Sequence, residues 1–363
     1  MPPASRRLTV QGILGARGGT MERITRRLAA AAAAAGLALL AAGCTGNTAT
    51  ATGTNPSPVS AASRALPSPF TITARYTATS LGLNHPDALA IGPDGNVYVT
   101  DSSRRVTVIS PAGKVLRRWG KPGSGPGEFR FIPPDPSTPA ETEGKISVGP
   151  DGKVYVSDSG NGRVQVFTPQ GRLVRQFGSY GSGKGQFLLP GDLMADSAGN
   201  VYVDDDQAET LAKFSPAGKV IWQIGGGASS DPDLSGHFHL ASIDAHGRLV
   251  VVNDDQQRIL YIDSGGHKVD AFSPSFPTTF PIGGACEATV DAVGNTYVSG
   301  CGPGSHPGPG PTLVYDRAHR LVAKWPGTEH PLRRSPCFGP HGEVFALAFD
   351  GTILRLRVAL PGA

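Results

Sequence analysis

One phrase recurs six times along this chain: an apolar strand, a turn ending in glycine, and a second strand written V-Y-V-x-D or a worn copy of it. It appears as ALAIGPDGNVYVTD at 88–101, ISVGPDGKVYVSD at 146–158 and LMADSAGNVYVDD at 193–205. It returns as ASIDAHGRLVVVN at 241–253, ATVDAVGNTYVSG at 288–300 and CFGPHGEVFALA at 337–348. The turn glycines Gly95, Gly152, Gly199, Gly247, Gly294 and Gly342 stand 57, 47, 48, 47 and 48 residues apart. A period near 48 with four short strands per unit predicts the blade of a β-propeller, since one such sheet cannot bury its apolar faces without a neighbour. Six units predict an all-β, six-bladed ring of four-stranded antiparallel blades over 70–360.

In the second unit the strands fall at 145–148, 154–157, 163–167 and 173–177, written A to D. Trp119, Phe177, Ile224, Phe272 and Trp325 share the end of strand D and are expected to pack between blades. The sixth unit runs out after its third strand, whereas the strand-like stretch FTITARYTATS at 70–80 precedes the first unit. That N-terminal stretch is expected to supply the missing outer strand, because an unclosed ring would expose sheet edges.

The phrases GNVYVTDSSRRVTVI and GKVYVSDSGNGRVQVF, with GPGEF or GKGQF before a new strand A, resemble the NHL-repeat family. The resemblance spans about 70–358 and is clearest in the first three units. It implies a pairing of the Asp ending strand B with the Arg opening strand C: Asp101 with Arg105 and Asp158 with Arg163. In the fourth unit Asn253 faces Arg258, and in the third Asp205 has only Thr210 opposite. These pairs read as structural clips.

The N-terminus reads as an address. From Met21 come MERITRR, then LAAAAAAAGLALL, then AAGC, which is a basic segment, a short apolar run and small residues before a cysteine. Ala41-Ala42-Gly43-Cys44 resembles a bacterial lipobox, so residues 1–43 are expected to be a signal peptide and Cys44 the lipidated residue. Residues 44–69, rich in Thr, Ser, Ala and Pro, are expected to form a flexible tether to the outer face of the cytoplasmic membrane. The sequence pI of about 8.9 suggests nucleic acid until the charge is divided. Six Arg and one Glu lie in 1–43, leaving 27 bases and 28 acids for the rest. A near-neutral remainder excludes the basic face that a nucleic-acid binder needs, and a monomer is expected.

The string GSYGSGKG at 178–185 fails as a phosphate loop, because Gly185 replaces the hydroxyl and a strand follows it. Cys286 and Cys301 sit symmetrically about the Val293-Gly294 turn, which in a two-residue hairpin sets them opposite and permits a disulfide. Cys337 is expected to be a buried thiol. His85, His237 and His239 lie near strand-A starts; a zinc or calcium site there is the lesser reading, and no cofactor is expected. Aligned strand-A starts place Asp87, Lys145, Asp192, His239, Glu287 and Arg334 around the channel mouth as candidate binding residues. Acids at 204–206 and 254–255 read as solvated B–C loops or a weak cation site. No catalytic constellation is present, while irregular loops at 131–143, 274–284 and 300–311 gather on one face. The sequence therefore points to a binding or scaffold protein for a protein, peptide or glycan. A hydrolase or lyase at the mouth is the alternative.

Overall fold

Where each repeat phrase turns, its glycine sits in the left-handed region, with φ between +74° and +88° from Gly95 to Gly342. A side chain would be strained there, and the turn reverses strand A into strand B. The computed structural model describes residues 66–131, 144–227, 231–276, 284–301, 310–326 and 332–360. Tight turns and alternating apolar residues produce six four-stranded antiparallel sheets.

Blade 1 is β2 (Pro86–Ile91), β3 (Val97–Asp101), β4 (Arg105–Ile109) and β5 (Val115–Trp119), and blade 2 is β6 (Ile146–Val148), β7 (Val154–Asp158), β8 (Arg163–Phe167) and β9 (Leu173–Phe177). Blade 3 is β10 (Pro190–Ala195), β11 (Val201–Asp205), β12 (Thr210–Phe214) and β13 (Val220–Gly225), and blade 4 is β14 (Phe238–Ile243), β15 (Leu249–Asn253), β16 (Arg258–Ile262) and β17 (Lys268–Phe272). Blade 5 is β18 (Gly284–Val290), β19 (Thr296–Cys301), β20 (Thr312–Tyr315) and β21 (Leu321–Trp325).

Blade 6 takes β22 (Cys337–Phe338), β23 (Val344–Leu347) and β24 (Ile353–Val358) from the C-terminal end and β1 (Phe70–Tyr76) as its outer strand. The expected N-terminal clasp is therefore in place, with Phe70 opposite Val358 and Tyr76 opposite Ile353. It is shorter than the stretch 70–80. Thr77 caps a single helical turn, α1 (Ala78–Leu81), through a 3.2 Å bond from the Ser80 amide, and Gly82 ends it at φ +60°.

The core lies between blades. Val106, Val108 and Tyr98 of blade 1 pack on Val154, Val156 and Phe167 of blade 2, and five further clusters repeat this arrangement around the ring. Each aliphatic or aromatic side chain buried this way contributes about 1.5–3 kcal/mol. Trp119, Ile224, Phe272 and Trp325 join these clusters from strand D, as does Phe177.

Two polar devices fix the strand-A starts. The Asp ending strand B staples the incoming loop: Asp101 accepts from the Asn84 amide at 3.2 Å, Asp158 from Arg130 at 2.7 Å and Asp205 from Leu188 at 2.7 Å. Arg105 and Arg163 complete the first two clips at 3.1 and 2.7 Å. In blade 4 Arg258 turns instead to Asp233 at 3.0 Å, while Asn253 donates to the carbonyls of Asp233 and Ser235. The residue one place earlier on strand B reaches the next blade. Thr100 donates to the Gly144 carbonyl, Ser157 donates to that of Gly191, and Asp204 accepts from the Leu240 amide.

Candidate functional site at the channel mouth

The staples at the starts of strand A in blades 1 to 4 help to set the residues aligned there at the axis of the ring. Asp87, Asp192 and Glu287 act together on Lys145, whose side chain is buried. Burial alone would depress its ammonium; these carboxylates, joined by Asp206, reverse that and hold it well above the usual lysine range. Arg334 binds Glu287 and stands 3.6 Å from Asp192, and its Nε donates to the Asp87 carbonyl. Arg333, absent from the sequence reading, pairs with Asp87 at 2.9 Å. His239, in strand A of blade 4, bears on Asp204 and stands 3.6 Å from Asp254.

The acids of blade 3 depart from expectation. Asp204 and Asp205 end β11 and are buried, not solvated in a loop, because the strand runs on to the staple position. Burial pushes the Asp204 carboxyl well above the usual carboxylate range, and Asp206 and Asp192 push it further. His239 and the Leu240 amide, at 2.7 Å, oppose this only in part. The bare backbone of Gly191 is what admits Asp204: a Cβ there would stand 2.3 Å from its Oδ1.

Below this charged ring the channel narrows to a cavity of about 70 Å³ among residues that include Leu89, Ile146, Leu193, Leu240 and Cys337. It widens toward the A–B turns into a second cavity of about 530 Å³, lined largely by small and aliphatic side chains such as Ala90, Val148, Ala195 and Ala241. Cys337 is a free thiol there, donating to the Leu89 carbonyl at 3.4 Å. Burial pushes that thiol up to about 12, which keeps it unreactive.

His85, His237 and His239 are not gathered on one point. His85 bonds its neighbour Asn84 at 2.9 Å, in a backbone turn of φ +46°. Among the described residues, the one group with three donor atoms within reach of a single ion is His237, Asp254 and Asp255. It lies at the surface, and His237 already bonds Asp255 at 3.3 Å. Burial alone would lower the His237 imidazole; Asp255, then Asp254 and Glu209, raise it instead.

Cys286 is disulfide-bonded, whereas the Cys301 side chain lies outside the described residues. The register differs from the expected one. Val290 pairs with Thr296 across a five-residue connection, and a bulge between Ala285 and Glu287 sets Cys301 opposite Gly284. Cys44 and most of the three irregular loops (132–143, 277–283 and 302–309) also lie outside the described residues. Among the described residues no helix is long and apolar enough to cross a membrane.

The NHL repeat model matches residues 144–167, the first three strands of blade 2. A streptogramin B lyase structure is similar over 80% of this chain and 98% of that one, at 13% identity and a TM-score of 0.53. A catalytically inactive virginiamycin B lyase from Staphylococcus aureus, solved with quinupristin, is similar over 80% of this chain and all of that one, at 13% identity and a TM-score of 0.52. Identities this low speak for the fold alone. The period read from the six turn glycines and the blades of the structure agree on one architecture: the chain is a six-bladed β-propeller with an NHL repeat in its second blade.

Proposed function

We propose that this chain is an exported, lipid-anchored binding protein that recognises a protein, peptide or glycan on the loop-bearing face of its propeller. The observation carrying this reading is the mouth itself. Five strand-A starts and their neighbours bring acids and bases into one interlocked ring at the axis, on the face where the D–A and B–C loops emerge. Side chains that hold one another in place form a rigid polar floor, which suits recognition by hydrogen bonding.

A hydrolase or lyase working at the same mouth is the second reading. Asp204 favours it, since a carboxyl pushed upward by burial is a potential general acid, and two proteins of similar fold are lyases. A glycan and peptide array probed with wild type and with Arg334→Met decides the first reading. We expect discrete binders whose signal falls by about tenfold or more in the variant, the effect of losing a charged hydrogen-bonding group. An array blank for wild type overturns it. Conversion of quinupristin by the purified chain, followed by mass spectrometry, establishes the second reading in its place.

A further inference from the structure

We propose that the charged mouth is a receptor for a primary ammonium group carried on a small polar organic molecule; this rests on the binding reading above and names the chemistry of its ligand. Among the described residues five carboxyl groups, those of Asp87, Asp192, Asp204, Asp206 and Glu287, stand with three permanent cations, Lys145, Arg333 and Arg334, and with the His239 imidazole, which faces Asp204. The arginines are committed. Arg333 spans Asp87 and the Pro86 carbonyl, and Arg334 spans Glu287, Asp192 and the Asp87 carbonyl.

Two acceptors are left over. Asp87 Oδ2 and Asp204 Oδ1 are shut away from solvent with no hydrogen-bond partner, on side chains 0% and 1% exposed. A buried acceptor left unmade costs about 1–3 kcal/mol, so both sites call for a donor from outside the protein. The excess of acids calls for a positive one.

The spread of the acceptors distinguishes an organic cation from a metal ion. No three donor atoms of the mouth carboxylates stand within 4.8 Å of one another, the condition met among the described residues by His237, Asp254 and Asp255. A bare ion needs such a cage. An ammonium group offers three divergent donors, and the body that carries it can answer Lys145 and the arginines with acceptors of its own.

Ligand entry then moves a proton. Asp204, faced by Asp206, Asp192, His239 and the Leu240 amide, has its carboxyl pushed upward by burial and by the two acids, which favours its neutral form in the absence of ligand. An arriving cation favours its ionised form, so binding releases a proton into solvent and tightens as pH rises toward the raised folded value.

The test titrates the purified full-length chain with glycinamide and with glucosamine, beside their N-acetylated counterparts, by calorimetry at pH 5 and pH 7. We expect an amine form to bind at least about tenfold more tightly than its acetylated partner, more tightly at pH 7, and with net proton release in buffers of differing ionisation heat. Whichever of the two amines binds separates a peptide terminus from an amino sugar. Asp204→Asn and Asp87→Asn each abolish the preference. The former replaces the carboxyl by an amide of the same shape, so unchanged thermal unfolding at pH 5 shows that it folds. Equal binding of acetylated and free forms overturns the ammonium assignment and leaves the binding reading standing. Calcium chloride taken up at the mouth and lost in the same variants overturns it in favour of a metal. Silence from all four probes overturns it as well, and a blank array beside that silence removes both readings.

Discussion

A single side chain at the end of strand B in blade 2 gathers four partners. Asp158 accepts from the Arg130 amide, from Asn161, from Arg163 and from Gln165, and it is fully buried. Replacing it by alanine leaves the buried Arg163 guanidinium without its carboxylate, although Gln176 and the Gly125 and Glu128 carbonyls remain to it, and releases the Arg130 amide. We expect Asp158→Ala to lower stability by about 3–5 kcal/mol, the cost of breaking a buried pair, seen as a fall in the urea midpoint. The pairing of Asp158 with Arg163 was legible in the sequence because both ends recur at a fixed offset. The mouth was legible in part for the same reason: one alignment of strand-A starts named Asp87, Lys145, Asp192, Glu287 and Arg334. Arg333 escaped it because blade 6 reduces strand A to two residues, so the side chain before the aligned one also reaches the axis. Asp204 escaped because three consecutive acids look like a solvated loop. The signal was available in its register: Thr100, Ser157 and Asp204 occupy one position of strand B, and all three reach into the next blade.

Among the elements, β1 carries the ring. It pairs with β24 along its length through a bulge between Ile72 and Ala74, and Phe70 stacks on Tyr297 at 5.8 Å and meets Trp325 edge-on at 5.2 Å. A truncation starting at residue 77 removes that strand and uncovers Leu354 and Leu356. We expect it to lose cooperative thermal unfolding and to aggregate, since β24 becomes an unprotected edge. A truncation that melts as late and as sharply as the parent would show that the ring closes without β1. The closure was readable from a count of strands, whereas the helical turn after it was not, because Thr77 and Gly82 cap only four residues between them. The hairpin of Cys286 was misjudged by its turn. Glycine at the fourth place of a five-residue connection looks like a two-residue turn until the pairing of Val290 with Thr296 is seen.

Beyond residue 43 the molecule is near neutral, with 27 bases against 28 acids, and the excess of base over acid is confined to the first 43 residues, with six Arg and one Glu. The proposed export and lipid anchoring are testable on the intact protein: mass spectrometry of the membrane fraction should find an N-terminal Cys44 carrying a diacylglyceryl group, and a soluble form starting elsewhere would remove the anchor. The clasp has a consequence for how such a ring comes into being. Thr73 bonds the carbonyl of Arg355, 282 residues away, so the first strand of the domain must wait for the last. Blades 1 to 5 are each built from local hairpins and can assemble as the chain emerges, but loop closure over that distance comes late and slowly. Until then β1 and β24 are both orphaned edges. The vulnerable interval in this protein's life is therefore the moment between the emergence of blade 5 and the return of its beginning to meet its end.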